Sequence, residues 1–286
     1  MTGQIKPRSA ATLMLARDSA EGIELFMVVR HHEIEFASGA LVFPGGSVSQ
    51  LDFDPRWRKL AEGVTGVDDE MLGLMAAAAR EAFEECGVLF AREYRGGPLV
   101  DGARAETLGI AYRQAIEAGT LGFADMIERE YLIAAFDQLV HFAHWITPPH
   151  MPKRFDTYFF LAQAPIDHVL RHDGHEAVDS TWITPAQARN DADAQRRTVL
   201  FPTLLNLEKL GRHDSVMQAL AAARDETVVT VRPEVQTSPG GRILRIPIEA
   251  GYGAEEFLVV GEPGQNARVV KLDVASDAGG AGKQSS

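Results

Sequence analysis

A mixed β-sheet sandwiched between helices, an α/β arrangement of the α+β kind, is what the order of segments in this 286-residue chain predicts. Three observations carry that reading. Paired runs of β-forming residues open the chain, an alanine-rich helical run follows, and further β-rich runs then alternate with capped helix starts. With 45% hydrophobic residues, a chain of this length buries a sizeable core in one main domain and leaves room for a smaller appendage.

Residues 10–17 and 24–30 read as strands, and Asp18-Ser19-Ala20-Glu21-Gly22 between them reads as a hairpin turn. Leu41-Val42-Phe43 gives a third, short strand that ends at Pro44-Gly45-Gly46. A glycine pair there lets the backbone turn tightly and approach a ligand, although a plain turn uses the same residues. From Met71 onward the chain holds strong helix formers, weakened early by Gly73, through Arg80-Glu81-Ala82-Phe83-Glu84-Glu85-Cys86. Gly87 suits the left-handed position that ends a helix.

Residues 104–138 read as helical, with Leu108, Tyr112, Ile116, Met126, Ile127 and Tyr131 near helical spacing. That segment is a candidate lid or homodimer surface; plain packing is the simpler reading, because nothing in it carries chemistry. Residues 139–145, 154–162 and 178–183 read as strands, and Thr184-Pro185 as a capped helix start with proline at the first helical position. Short helices at 202–210 and 215–224 and strands at 227–231 and 242–247 follow. The Gly-, Ala- and Ser-rich end reads as a disordered tail. The chain therefore divides into a main domain at 9–197 with insertions near 47–69 and 100–138, a C-terminal helical and strand segment at 198–274, and the tail at 275–286.

A formal charge of −12 argues against general nucleic-acid or anionic-membrane binding. Cys86 is the single cysteine, so no intramolecular disulfide forms and a reducing compartment is expected. No apolar run reaches the roughly 18 residues of a membrane span, the start has no apolar signal region, and the end is not a peroxisomal Ser-Lys-Leu. A cytoplasmic protein is the expectation.

The chemistry is concentrated in one helical turn and a half. Glu81 and Glu85 are spaced i, i+4 and Glu81 and Glu84 i, i+3, so the three carboxylates share a face. Crowded anions repel, and a hard divalent cation with oxygen ligands relieves them. Arg80 stands i, i+4 from Glu84. Glu-rich helix ends are often only solvated faces. Here five positions are fixed in register, and at a usage of roughly 6% per residue type chance gives Arg-Glu-x-x-Glu-Glu-x-Gly in on the order of one chain in several thousand.

This run, with an apolar residue at Ala82 and Val88, resembles the second half of the Nudix box, Gly-x5-Glu-x7-Arg-Glu-U-x-Glu-Glu-x-Gly-U (U apolar). Phe43-Pro44-Gly45-Gly46 resembles its opening. The resemblance implies a Nudix-like form of the mixed sheet between helices, a magnesium or manganese cofactor, and hydrolysis of a small-molecule nucleoside diphosphate linked to another group. Residue by residue it implies Glu81 and Glu85 as metal ligands, Glu84 as a further ligand, Arg80 as the residue that orients them, and Gly45 and Gly46 as backbone contacts. Between Gly46 and Arg80 lie 33 residues where the box has 13, which implies an insertion of about 20 that includes Asp52-Phe53-Asp54-Pro55-Arg56-Trp57. Counting back eight from Arg80 gives Leu72 where the box has its first Glu.

A split box of this kind is similar to that of the peroxisomal coenzyme A diphosphatase-like branch. Arg154-Phe155-Asp156-Thr157-Tyr158-Phe159-Phe160-Leu161 supports the likeness, as does the spacing of Arg30, Gly39 and Phe43-Pro44-Gly45-Gly46; His31 and Glu35 depart from the coenzyme A signature. Arg30 and Arg154 are candidates for phosphate, since a planar guanidinium matches its oxygens, and equally for structural ion pairs. Glu176 is a candidate general base, with ordinary loop charge the simpler reading. The implied activity is coenzyme A or acyl-coenzyme A diphosphatase. A diphosphatase for a dinucleotide, ADP-ribose or capped RNA, or a non-catalytic nucleotide sensor to which Leu72 points, are the alternatives. His141 and His144 are an odd number of residues apart, which on a regular strand sends them to opposite faces and argues against a shared zinc site.

Overall fold

The computed structural model describes residues 5–30, 39–168, 170, 177–261 and 267–272. Strands β1 (Arg8–Ser19) and β2 (Gly22–Arg30) form the expected hairpin, closed by Ser19 opposite Gly22. Side chains alternate between two faces, so Leu13 and Leu15 enter one core while Met14 and Ala16 enter another. β2 follows β1 as far as Leu25 and then pairs through Val28 and Val29 with β3 (Ala40–Val42). The stretch of β1 from Ala10 to Thr12 instead takes β4 (Gly45–Ser47). This fork in the sheet holds Pro44-Gly45-Gly46, and everything in the site is built onto it.

Short elements α1 (Trp57–Leu60) and β5 (Ala61–Glu62) precede the long helix α2 (Asp69–Cys86). Asp68 caps that helix by accepting from the Met71 N–H at 2.7 Å, and Gly87, at φ 72°, ends it as expected. Next come β6 (Ala91–Arg92), α3 (Gly102–Glu117), α4 (Phe123–Arg129) and β7 (Ile133–Ala135), with β5, β7 and β6 forming a small sheet. α-Helix in the 104–138 segment therefore stops at Arg129, and the rest holds β7 and a 3-10 turn at Phe136–Gln138. Tyr131 turns the chain at φ 56° and is 88% exposed, so it is no part of an apolar stripe. Leu108, Ile116, Met126 and Ile127 are buried in the core beside α2, the packing role that the simpler reading gave them.

β8 (Val140–Ile146) and β9 (Phe155–Gln163) continue the main sheet, β9 lying parallel to β1 and antiparallel to β8. β10 (Ala177–Ile183) pairs with β2 and leads into α5 (Pro185–Asp193), where the Thr184 hydroxyl accepts from the Gln187 N–H at 3.1 Å. β11 (Thr198–Val199) pairs with β3. Helices α6 (Phe201–Leu210) and α7 (Val216–Asp225) follow, then β12 (Thr230–Val231), which pairs with β8. Residues after 197 thus add strands to the main sheet itself. Strands β13 (Glu234–Ser238), β14 (Gly241–Arg245), β15 (Glu256–Val260) and β16 (Arg268–Leu272) form a separate antiparallel sheet.

Helix α2 covers one face of the main sheet, whereas α6, α7 and the four-stranded sheet pack on the other. The mixed sheet between helices is the predicted fold class. The tail expected from residue 275 lies outside the described residues. No described helix is long and apolar enough to cross a membrane.

One strand prediction is corrected. The pairing of β8 with β9 shifts register between His141 and Ala143, and that bulge adds a residue which returns both histidines to one side. His144 and His141 accordingly both stack on Tyr158, with ring centroids 3.9 Å and 5.5 Å away. His144 is held further by Asp156 at 2.5 Å and Thr230 at 2.8 Å. Burial, and the neighbouring His144, push His141 down to about 4.

Candidate functional site

The last turns of α2 lie against β4 at the fork. The Gly45 N–H donates to Glu85 Oε2 at 3.0 Å, so a glycine from the sheet fixes one carboxylate of the helix. At Gly46 a Cβ would fall 2.6 Å from the Glu81 carboxylate, so only glycine admits Glu81 this close to the strand. Both glycines singled out from the sequence thus touch the acid cluster. Gly45 also approaches β1 closely, where an added Cβ would meet the Ala11 carbonyl at 2.6 Å.

Arg80 ties the cluster together. Its guanidinium meets Glu84 at 2.7 Å and Glu81 at 2.8 Å, and it donates to the Ser47 carbonyl at 3.0 Å. The remaining donors go to Asp52, from Nε to Oδ1 at 2.8 Å and from Nη2 to Oδ2 at 3.0 Å. Burial works against the Arg80 charge, but Asp52, Glu81 and Glu84 outweigh it and hold its pKa above the ordinary arginine value. Arg80, Glu81 and Glu84 are all buried, and Asp52 is 1% exposed.

Asp52 is the residue that sequence reasoning missed. It ends a 3-10 turn at Gln50–Asp52 whose start is closed by a reciprocal cap: Leu51 N–H donates to Ser49 Oγ, and the Ser49 N–H donates to Asp52 Oδ2 at 2.7 Å. Counted forward, Asp52 is six residues after Gly46, the offset of the first acid in the box. The inserted residues fall between Asp52 and Arg80. Leu72, where backward counting placed the missing acid, is 3% exposed and belongs to the apolar core.

Glu84 is strained electrostatically. Burial raises its pKa, Arg80 lowers it and Glu81 raises it again, with a net result of about 7. Its Oε1 is buried without a hydrogen-bond partner. Among the described residues, no set of three or more His, Cys, Asp or Glu side chains is gathered tightly enough to hold a metal ion unaided, since Arg80 occupies the space between Glu81 and Glu84. The donor set nonetheless fits a hard divalent cation: carboxylate oxygens only, one of them buried and unpartnered, beside a glycine that leaves room at Glu81.

The other sequence candidates lie elsewhere or outside the description. Arg154 is 8% exposed, and its guanidinium donates to the Ile5 carbonyl at 2.6 Å and the Thr147 carbonyl at 3.2 Å, tying the chain start to the β8–β9 connection. Those contacts are structural, not directed at the acid cluster. The backbone of Arg30 ends β2 opposite Ala177, while its side chain is outside the description. Glu176 lies outside the described residues.

A family model described as the NUDT19 Nudix domain matches residues 66–210. That span begins after Gly45, Gly46 and Asp52, which the fold brings to it. The chain is similar to "Putative nudix hydrolase 7" of Caenorhabditis elegans, 25% identical over 209 residues that make up 72% of this chain and 61% of the relative. Likeness to the acyl-coenzyme A diphosphatase NUDT19 of Xenopus laevis is 21% identity over 232 residues, 68% of this chain and 61% of that one. The chain therefore spans about 61% of the length of the curated relatives it matches. Among solved structures it is similar to a NUDIX hydrolase from Alicyclobacillus acidocaldarius, with 25% identity, a TM-score of 0.61, and coverage of 77% of this chain and 97% of that one.

Proposed function

This chain belongs to the Nudix family, and from that premise we propose that it is a divalent-metal-dependent hydrolase of a nucleoside diphosphate linked to another group, with coenzyme A or an acyl-coenzyme A as substrate. One observation carries the hydrolase reading: Glu81, Glu84 and Glu85 stand at one helix end against a glycine strand, with a buried Glu84 oxygen unpartnered. The substrate reading leans on the split box and on the similarity to the frog acyl-coenzyme A diphosphatase.

Glu81, Glu84 and Glu85 would hold magnesium or manganese, which when bound neutralises phosphate charge and acidifies water. The rest of the work belongs to the chain. Gly45 fixes Glu85, and Gly46 leaves space for Glu81, so both carboxylates are set before substrate arrives. Arg80 keeps Glu81 and Glu84 from repelling each other apart, and Asp52 with the Ser47 carbonyl prevents Arg80 from swinging out to bind phosphate itself. Asp52 weighs against a non-catalytic sensor, because an acid at the offset of the first box Glu comes from the turn at Gln50–Asp52 and pairs with Arg80. We take the cytoplasm as the place of action, on the strength of Cys86 being the single cysteine of the chain and buried.

The test is incubation of purified protein with magnesium or manganese and a panel of coenzyme A, octanoyl-coenzyme A, ADP-ribose, dinucleoside polyphosphates and capped RNA, with Glu85→Gln as control and products weighed by mass spectrometry. Release of 3′,5′-ADP and a phosphopantetheine is expected from the first two and none from the variant. Cleavage of another diphosphate alone would move the substrate and keep the chemistry. Binding without turnover across the panel would overturn the enzyme reading.

A further inference from the structure

A cavity of about 250 Å³ lies between the main sheet and the C-terminal four-stranded sheet, on the sheet face opposite α2. Phe159 of β9 and Phe201 at the start of α6 form part of its wall, and Val235, Leu244 and Val259 of the small sheet form another part. Trp145 also lines it, yet its indole N–H is spent on the Tyr252 hydroxyl at 2.9 Å, which in turn donates to Asn206 Oδ1 at 2.7 Å. That buried relay pairs the Trp145 N–H and the Tyr252 hydroxyl behind the wall, although the Asn206 Nδ2 beyond them is buried without a partner, and most of the surface facing the space is hydrocarbon. Charged types in the wall are His150 and Arg242, whose Nη2 donates to the Gly261 carbonyl at 2.9 Å.

Protein interiors seldom keep voids larger than a water, because the lining atoms of a void forfeit dispersion contacts. A mostly apolar pocket of this size, partly open to solvent, favours an apolar ligand over water. Its position says which ligand. Phe159 is registered on Thr12 of β1, and Thr12 on Gly45 of β4, the residue that fixes Glu85. Two strand spacings, about 10 Å, therefore separate the backbone of a cavity residue from that of a site residue. The acid cluster and the cavity sit on opposite faces of the sheet beside β4, which is three residues long. A ligand reaching both must carry its anionic group and its apolar group on the two ends of an arm that rounds β4.

We propose that this cavity receives the aliphatic acyl chain of an acyl-coenzyme A whose diphosphate lies at Glu81, Glu84 and Glu85, so that the C-terminal sheet confers chain-length preference. The assignment rests on the diphosphatase reading of the site and adds the subsite that selects among its substrates. Since an apolar cavity of about 150 Å³ accommodates a benzene ring, this one takes a chain of roughly ten carbons.

The experiment measures KM and kcat for coenzyme A and for its acetyl, butyryl, octanoyl, decanoyl and palmitoyl esters, alongside equilibrium binding followed by tryptophan fluorescence, with free octanoate as a separate ligand. The wild type and Val259→Trp, which fills the space, are compared. KM is expected to fall by about fourfold per methylene up to roughly ten carbons and then level off. Val259→Trp should abolish that trend while leaving kcat/KM for unacylated coenzyme A unchanged. Equal KM for all esters, or a trend that survives in a folded Val259→Trp, would overturn the proposal. Should that variant fail to fold, the wild-type binding series decides alone: octanoyl-coenzyme A must bind tighter than coenzyme A. Free octanoate binding as tightly as its ester would make the cavity a fatty-acid site and reject the assignment. Tighter ester binding without cleavage would leave the pocket standing and defeat the hydrolase reading, whereas cleavage indifferent to the chain would do the reverse.

Discussion

Asp52 grips Arg80 at two points, Oδ1 to Nε at 2.8 Å and Oδ2 to Nη2 at 3.0 Å, and does so with 1% of its surface exposed. The pair is what aims Arg80 at Glu81 and Glu84. Breaking an isolated buried pair costs about 3–5 kcal/mol, and the loss here falls below that because Arg80 keeps Glu81 and Glu84. Asp52→Asn keeps the shape and removes the charge, so activity should drop by roughly 10- to 100-fold, as for other residues that orient metal-site side chains. Asp52→Glu, which restores the charge, should recover part of it. Steady-state kinetics beside thermal melts check this. Equal activity in Asp52→Asn and wild type would show that Arg80 needs no such anchor.

Gly46→Ala isolates the second contact. The new methyl would lie 2.6 Å from the Glu81 carboxylate, which must move while β4 remains paired to β1. A displacement of about 1 Å in a positioned group costs on the order of 100-fold in rate, so kcat should fall far more than the melting temperature does. A matched loss of fold and rate would instead mark Gly46 as a packing residue.

Which parts of this were readable beforehand follows from how local each signal is. Glu81, Glu84 and Glu85 share one helix, so helical spacing alone predicts their convergence. Gly87 and Thr184 announce helix ends by local chemistry, and the structure uses both. Asp52 needed a count from Gly46 and not from Arg80, because the inserted residues separate the two halves of the motif. β4 to β7, at two or three residues each, are too short for any periodicity to register. The bulge after His141 adds a residue that strict alternation does not anticipate, which is why His141 and His144 meet at Tyr158. Arg154 resembles a phosphate ligand in sequence, and only the fold reveals the carbonyls of Ile5 and Thr147 that take it.

The Glu84 carboxyl sets a pH dependence that a cation should reverse. Its pKa rises from 4.5 unfolded to about 7 folded, so the folded state holds the proton more tightly. Stability from this group is full below about pH 4.5 and is lost as pH climbs through 7, on the order of 3 kcal/mol at most. Metal-free protein should therefore show a declining contribution to its melting temperature between pH 5 and 8. Glu84→Gln should flatten that decline, and added magnesium should raise the melting temperature most at the alkaline end. Identical pH profiles for wild type and Glu84→Gln would refute the assignment.

Gly73 sets helix propensity against packing. Within α2, alanine should be better than glycine by up to about 1 kcal/mol. A Cβ at Gly73, however, would lie 2.3 Å from the ring of Phe53, which is 40% exposed, so that ring must swing outward or strain, at no more than the roughly 1–3 kcal/mol of an overpacked core. Phe53 directly follows Asp52, so displacing its ring also disturbs the anchor of Arg80. Gly73→Ala should lower both the melting temperature and kcat. In a Phe53→Ala background the clash is gone and the same substitution should stabilise, leaving a coupling between the two positions of at least about 1 kcal/mol. A double-mutant cycle read by denaturant unfolding measures it, and simple additivity would mean that the Phe53 ring yields freely and that Gly73 is retained for some reason other than this contact.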